Sequence, residues 1–130
     1  GGFQEEGIFR ISCSTEARAE LQKQFEVGDY TVRGLDAHIP SNLLKQWLRD
    51  LSEPLIPSAL YNECIQLAQG PPDALRKVVA ALPTVNRSIF PCQFRSRIVH
   101  RLCELIRAVN KMTFNNLAIV FAPAFLRNPK

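Results

Sequence analysis

This chain of 130 residues lacks the short motifs that mark many nucleotide, hydrolase and metal sites. It contains no G-x-x-x-x-G-K-[ST] loop, no G-x-G-x-x-G and no G-x-S-x-G, so the sequence predicts neither an autonomous nucleotide site nor a serine nucleophile elbow. Its four cysteines form no C-x-x-C pair, and its two histidines, His38 and His100, lie far apart, so zinc-ligand spacing is absent. These absences argue against an autonomous enzyme.

Long hydrophobic runs are missing as well. The longest, over residues 117–126, is broken by Pro123 and falls far short of the roughly 20 residues that span a bilayer. No secretory leader can be read. We therefore expect the cysteines to be reduced and buried, as in an intracellular protein. They are Cys13, Cys64, Cys92 and Cys103.

What is present is the composition of one ordinary globular domain. Hydrophobic residues make up 46% of the chain, which is enough for a single core and excludes a disordered chain. The net charge of +4 allows an acidic partner. Because cationic and acidic residues are interspersed, composition alone does not select nucleic acid over an acidic protein surface.

Strand-like alternation is scarce, being confined to residues 7–11. Elsewhere the apolar residues recur at helical spacing, which predicts an all-α fold. Ser14 or Thr15 is placed to cap a first helix and Gly28 to end it, before a connection over residues 28–37.

The second helix is predicted most clearly, in SNLLKQWLRDL (residues 41–51), where an apolar stripe lies opposite a polar one. The apolar stripe comprises Leu43, Leu44, Trp47, Leu48 and Leu51, and the polar stripe comprises Asn42, Lys45 and Arg49. Further helices are predicted over residues 58–69 and 73–82. A longer helix is marked by Phe94, Ile98, Leu102, Leu105 and Val109. A last helix begins after Thr113 and is disturbed at Pro123.

Arg10 is conspicuous because it lies between Phe9 and Ile11, directly after an apolar pair. A charged side chain is rarely buried without a partner. Arg10 is therefore either held at the surface by its neighbours or paired, and Glu5 or Glu6 would be the structural partner.

Three other polar residues lie in strongly apolar sequence. Lys45 and Arg49 are one helical turn apart, and they form either a solvated helix face or a binding face. Asn116 is either a helix-start residue bonded to the backbone near Thr113 or part of a site, since an unpaired amide is costly in an apolar helix.

Three blocks of the sequence, in order, resemble the Rho GTPase-activating (RhoGAP) domain family. EEGIFRIS is similar to the family's E-G-I-F-R-x-S-G loop, and SNLLKQWLRDLSEPLIP to its L-L-K-x-x-L-R-E-L-P-E-P-L-I helix and exit. NKMTFNNLAIVFAP is similar to its N-K-M-T-x-x-N-L-A-I-V-F-G-P segment. The resemblance implies a single-domain helical bundle of the RhoGAP type over residues 1–130. We expect it to lack flanking helices, to be incomplete at both ends and to belong to a longer multidomain protein.

The resemblance also implies a function. The domain would bind a Rho-family small GTPase of the Rho, Rac or Cdc42 type in its GTP form and accelerate hydrolysis, with Arg10 as the catalytic arginine finger. Gly7 would permit the turn, while Ile8 and Phe9 would anchor the loop. GTP and magnesium would belong to the partner, so we expect no cofactor or metal in this chain. We also expect no nucleic-acid partner and no transmembrane segment, and the partner class and the absence of a leader predict a cytoplasmic location. The implied partner-binding residues are Lys45, Arg49 and Asn116.

The sequence departs from the family pattern at Cys13, Ala122 and Ala124. Cys13 stands where the family has glycine, and a positive φ there would strain the loop. Ala122 and Ala124 replace a glycine and an asparagine. An alternative function is therefore a non-catalytic module that binds GTPases or other proteins. A weaker alternative is binding of anionic lipid or nucleic acid through Arg87, Arg95, Arg97, Arg101 and Arg107.

Overall fold

The computed structural model describes residues 2–70, 75–88 and 109–128, and within these ranges the regular structure is helical, with no strand. The α-helices are α1 (Thr15–Glu26), α2 (His38–Asp50), α3 (Tyr61–Ala68), α4 (Leu75–Ala81) and α5 (Phe114–Phe125). Short 3-10 turns cover Gly2–Gln4 and Ser58–Leu60. The all-α prediction is confirmed. The predicted helix from Phe94 onward lies outside the described residues, apart from Val109.

Helix α1 begins and ends where local chemistry predicts. The Ser14 hydroxyl accepts a hydrogen bond from the Ala17 amide at 3.0 Å, which satisfies one of the open donors of the first turn. Gly28 follows the helix with φ of 85°, a left-handed conformation that costs glycine little.

Helix α2 begins three residues earlier than SNLLKQWLRDL predicts. The Asp36 carboxylate accepts a hydrogen bond from the His38 amide at 2.9 Å, and this turn, which the apolar pattern does not reveal, leads into the helix. Pro40 lies in the first turn, where a missing amide proton removes no helical bond.

Helix α2 packs against both α1 and α5, and α3 packs against α4. One cluster of buried side chains joins Leu48, Leu55 and Ala124, with Phe121 and Phe125 packed against it. This cluster explains why Pro123 does not end α5. Ala124 is only 1% exposed, and the amide of Ile56 donates to the carbonyl of Phe125 at 2.9 Å, so tertiary contacts hold the last turn despite the missing proline donor.

The two stripes of α2 do not divide into a buried and an exposed face. Leu43 and Leu48 are buried as predicted, but Leu44 and Trp47 are exposed. In the polar stripe, Arg49 is exposed, whereas Asn42 and Lys45 are only 6% and 8% exposed and face the segment that carries Arg10. The interpretation of Lys45 and Arg49 as a solvated helix face is therefore wrong for Lys45.

Candidate functional site

The site is built around residues 5–11, here called the Arg10 loop. Its core is a tight turn in which the amides of Arg10 and Ile11 both donate to the carbonyl of Gly7, at 2.8 and 2.9 Å. Gly7 has φ of 69°, and a Cβ placed there would lie 2.8 Å from Ile11 Cδ1. The prediction that Gly7 permits the turn is confirmed, because a side chain would be both strained and obstructed.

The strain of the loop lies at Phe9 rather than at Cys13. Phe9 has φ of 68°, an unfavourable conformation for a bulky residue, and Cys13 is not among the described non-glycine residues with positive φ. Two rings hold Phe9 in place, with centroid distances of 6.4 Å to Phe3 and 5.1 Å to Phe121. Ile8 is only 4% exposed, so Ile8 and Phe9 anchor the loop as predicted.

Arg10 itself carries no such anchor, and its guanidinium lies over Gly7 of the same loop, 3.3 Å from where a Cβ of residue 7 would be. Its side chain is exposed, and within the described ranges no hydrogen bond or ion pair joins its guanidinium to another residue. The alternative of a salt bridge from Arg10 to Glu5 or Glu6 is not formed, and Glu6 pairs instead with Lys111 at 2.7 Å. That surface pair contributes little stability but tethers the loop to the segment before α5.

Asn110 fixes the same side of the loop. Its carbonyl accepts a hydrogen bond from the Gly7 amide at 2.7 Å, and its side-chain amide donates to the Phe3 carbonyl at 2.9 Å. The Asn110 side-chain oxygen also accepts from the Met112 amide at 2.8 Å, so the side chain is satisfied at both ends. The sequence places Asn110 in the NKMT block, but it does not reveal this role.

Lys45 lies beneath the loop. Its ammonium donates a hydrogen bond to the carbonyl of Phe9, the residue directly before Arg10. Burial lowers the pKa of Lys45, and the neighbouring positive charges of Arg49 and Arg18 lower it further. The ammonium therefore supports the loop from inside the domain.

Arg49 and Asn116 have different surroundings. Arg49 lies one turn beyond Lys45 and is exposed. The Asn116 amide donates to the Thr113 hydroxyl at 3.1 Å, and its side-chain nitrogen donates to the Lys111 carbonyl at 3.3 Å. Asn116 is therefore a helix-start residue, as one of the two interpretations of the sequence predicted, and it is half-buried. The partner contacts of Lys45, Arg49 and Asn116 stay predictions.

The other residues singled out in the sequence, which are the cysteines, the arginines of the basic surface and Ala124, are described only in part. Cys64 is buried and Cys13 is half-buried, and both are free thiols, while Cys92 and Cys103 lie outside the described residues. Arg87 is exposed, but the other four arginines of the predicted basic surface also lie outside them. Ala124 is a core residue rather than part of an exposed surface.

In the described part of the chain, no helix is long and apolar enough to cross a membrane, and no acidic, histidine or cysteine side chains cluster as metal ligands would.

Comparison of the chain with known proteins shows the family to which it belongs. The model of the RhoGAP domain matches residues 1–130. The chain belongs to the RhoGAP family. Among its relatives, GTPase activating protein homolog 3 of Dictyostelium discoideum is 35% identical over 96% of the chain, and human Rho GTPase-activating protein 24 is 36% identical over 97%. The chain spans 9% and 18% of the lengths of these two relatives.

Solved structures show the same fold. The BH domain of Graf, the GTPase regulator associated with focal adhesion kinase, matches 99% of this RhoGAP chain with a TM-score of 0.84 at 22% identity. Human Rho GTPase activating protein 15 matches 97% with a TM-score of 0.78 at 26% identity. The chain covers 72% and 63% of those two structures. The prediction of a RhoGAP-type helical bundle is confirmed.

Proposed function

We propose that this RhoGAP domain binds a Rho-family small GTPase in its GTP form and accelerates GTP hydrolysis by inserting Arg10 into the partner's active site. The observation that carries the proposal is the contrast at Arg10. The guanidinium is exposed and lacks a partner among the described residues, while the backbone on both sides of it is hydrogen-bonded to α2. An unpaired charged group that extends from a fixed backbone is suited to a negative charge supplied by another molecule.

The chemistry follows from the charge that develops during phosphoryl transfer. As the γ-phosphoryl group leaves GDP, negative charge spreads over its oxygens and the bridging oxygen, and a guanidinium placed there stabilises that distribution. Arginine suits the task because its planar fork donates two parallel hydrogen bonds and it stays charged. A finger supplied in this way accelerates hydrolysis about 10³- to 10⁵-fold, or roughly 4 to 7 kcal/mol in the barrier.

The surface around Arg10 supports an acidic partner. Arg49 is exposed beside the buried Lys45, and Arg18 of α1 lies close enough to lower the pKa of Lys45. Such a group of cations speeds the approach of an oppositely charged surface and discriminates against basic partners. In this proposal GTP, magnesium and the attacking water come from the GTPase.

The test is single-turnover GTP hydrolysis by purified Rho, Rac and Cdc42 proteins at fixed salt. The parent domain should accelerate hydrolysis on at least one of them by orders of magnitude. Arg10→Ala should remove about 10³-fold of that rate while still binding the GTP form. Arg33→Ala is the matched control, since Arg33 is also exposed but lies in the 28–37 connection, and it should behave as the parent does.

Two results would reject this function. If the parent accelerates none of the three GTPases, the domain is not an activator of these proteins. Binding that depends on the nucleotide, without any acceleration, would instead indicate a non-catalytic docking module.

A further inference from the structure

Two side chains of α2 donate hydrogen bonds to the backbone next to Arg10. The first is Lys45, and the second is Asn42, a residue that the proposed function does not use. The Asn42 side-chain nitrogen donates to the Ile11 carbonyl at 2.8 Å and to the His38 carbonyl, also at 2.8 Å. Both acceptors are carbonyl oxygens, so only the nitrogen of the amide can face them. Its two protons are therefore both in use.

The hydrogen bond from Asn42 to the His38 carbonyl determines the direction of the hydrogen bond from Asn42 to the Ile11 carbonyl. His38 lies one turn earlier in α2, so the helix itself fixes the orientation of the Asn42 amide. Asn42 is also only 6% exposed, which leaves its side chain little freedom to rotate. The amide thus presents one proton in a fixed direction, toward the residue that follows Arg10.

The bonds to Ile11 and Phe9 lie on either side of Arg10. Lys45 holds the carbonyl of Phe9, and Asn42 holds the carbonyl of Ile11. Asn42 and Lys45 are three residues apart and therefore project from the same side of α2, about 4.5 Å apart along its axis. The two peptide groups that flank the Arg10 Cα are held as well, because the amides of Arg10 and Ile11 both donate to the Gly7 carbonyl, and Asn42 holds the peptide group that follows them.

We propose that Asn42 is a positioning residue for Arg10, which acts by holding the Ile11 carbonyl and so sets where the guanidinium enters the partner. This inference rests on the proposed function. Without Asn42 the Ile11 carbonyl can be hydrated, since Ile11 is 43% exposed. The loop would then survive but sample several positions, and misplacement of a catalytic group by about 1 Å can cost up to 10²-fold in rate.

The experiment measures single-turnover hydrolysis against domain concentration, on the GTPase that the parent activates best. Asn42→Ala should lower the saturating rate about tenfold and leave the half-saturating concentration within about twofold of the parent's. Asn42→Leu, which has a similar volume but no donor, should give the same result, so the test stands if either variant folds. Asn62→Ala changes an exposed asparagine of α3 and should match the parent.

A second arm separates positioning from a merely structural role. In the Arg10→Ala background, Asn42→Ala should change the saturating rate by less than about twofold, because the group that it positions is gone. A structural role would instead lower the thermal midpoint and reduce the residual rate of Arg10→Ala by the same factor as in the parent. That result would overturn the proposal.

The remaining outcomes distinguish a failure of the positioning role of Asn42 from a failure of the proposed function. If the parent accelerates hydrolysis and both Asn42 variants retain its saturating rate, the positioning role is wrong and the proposed function stands. If the parent accelerates nothing, the proposed function fails and the positioning role fails with it.

Discussion

Two exposed segments of this RhoGAP domain, the Arg10 loop and the 28–37 connection, differ in what holds them. The loop contains one glycine with positive φ and the connection two, and each segment has one exposed arginine, Arg10 or Arg33. The connection is held locally. Its side-chain bonds join Gln24 to Thr31 and Asp29 to Thr31, across seven and two residues.

The Arg10 loop is held by distant parts of the chain. Asn42 reaches it across 31 residues, Lys45 across 36, and Lys111 across 105. Local bonds give a segment a shape, whereas distant bonds also fix its place on the fold. The comparison therefore indicates that the location of the Arg10 loop, and not only its shape, is determined by the fold.

The largest effect in this comparison is expected when the guanidinium is replaced and the loop is left intact. Arg10→Lys keeps the positive charge but loses the planar fork, so we expect single-turnover hydrolysis to fall by about 10²-fold or more. Arg33→Lys in the connection should leave the rate unchanged. Equal rates for Arg10→Lys and the parent would show that charge alone suffices.

The two glycines allow a matched test of the backbone. Gly7→Ala and Gly34→Ala both place a side chain at positive φ, with φ of 69° and 83°, which costs about 1 to 2 kcal/mol of unfolding free energy. Only at Gly7 does the new Cβ collide, with Ile11 at 2.8 Å, while at Gly34 nothing lies within 4 Å.

We therefore expect Gly7→Ala to be the less stable variant by about 1 kcal/mol or more in urea unfolding, and to lose about tenfold or more in hydrolysis rate. Gly34→Ala should lose stability alone. If the two variants lose activity equally, the close packing at Gly7 has no functional role.

A smaller effect is expected at the support beneath the loop. Lys45→Met keeps most of the buried volume but removes the donor to the Phe9 carbonyl, so the strained Phe9 conformation loses one of its restraints. We expect about a tenfold lower saturating rate, with Arg49→Met raising the half-saturating concentration instead, because Arg49 is exposed. The reverse pattern would make Lys45 the partner contact and Arg49 the support.

The smallest expected effect is on pH dependence. Burial and nearby cations hold the pKa of Lys45 below its ordinary value of 10.5, so the charged form is penalised in the folded state. Between the folded pKa and 10.5 the unfolded chain binds more protons, and stability contributed by this group rises with pH. Urea unfolding at pH 7 and at pH 9.5 to 10 should show the parent gaining stability relative to Lys45→Met. A relative loss would contradict the burial of the charge.

Features of the fold that depend on local contacts could be predicted from the sequence, whereas features that depend on distant contacts could not. The cap at Ser14, the end of α1 at Gly28 and the start of α5 at Thr113 depend on neighbours within four residues, and all three predictions are confirmed. Resemblance to a family added the fold and the loop that carries Arg10.

The errors come from contacts made across the fold. The sequence predicts a disturbance at Pro123, but α5 continues through it to Phe125, because Ala124 packs against Leu48 and Leu55. The burial of Lys45 and Asn42 depends on two carbonyls that no helical periodicity can reveal. Tertiary contacts override local propensity at each of these positions.

The most direct test of the central claim is the preference of the domain for the transition state. GDP with aluminium fluoride mimics the transferring phosphoryl group, and a finger gives its energy mainly to that state. We predict that the parent binds the GDP–aluminium fluoride form of its GTPase at least about 10²-fold more tightly than the form with a non-hydrolysable GTP analogue. Arg10→Ala should remove that preference while its affinity for the analogue form stays within about threefold. Equal preference in the parent and in Arg10→Ala would contradict the account.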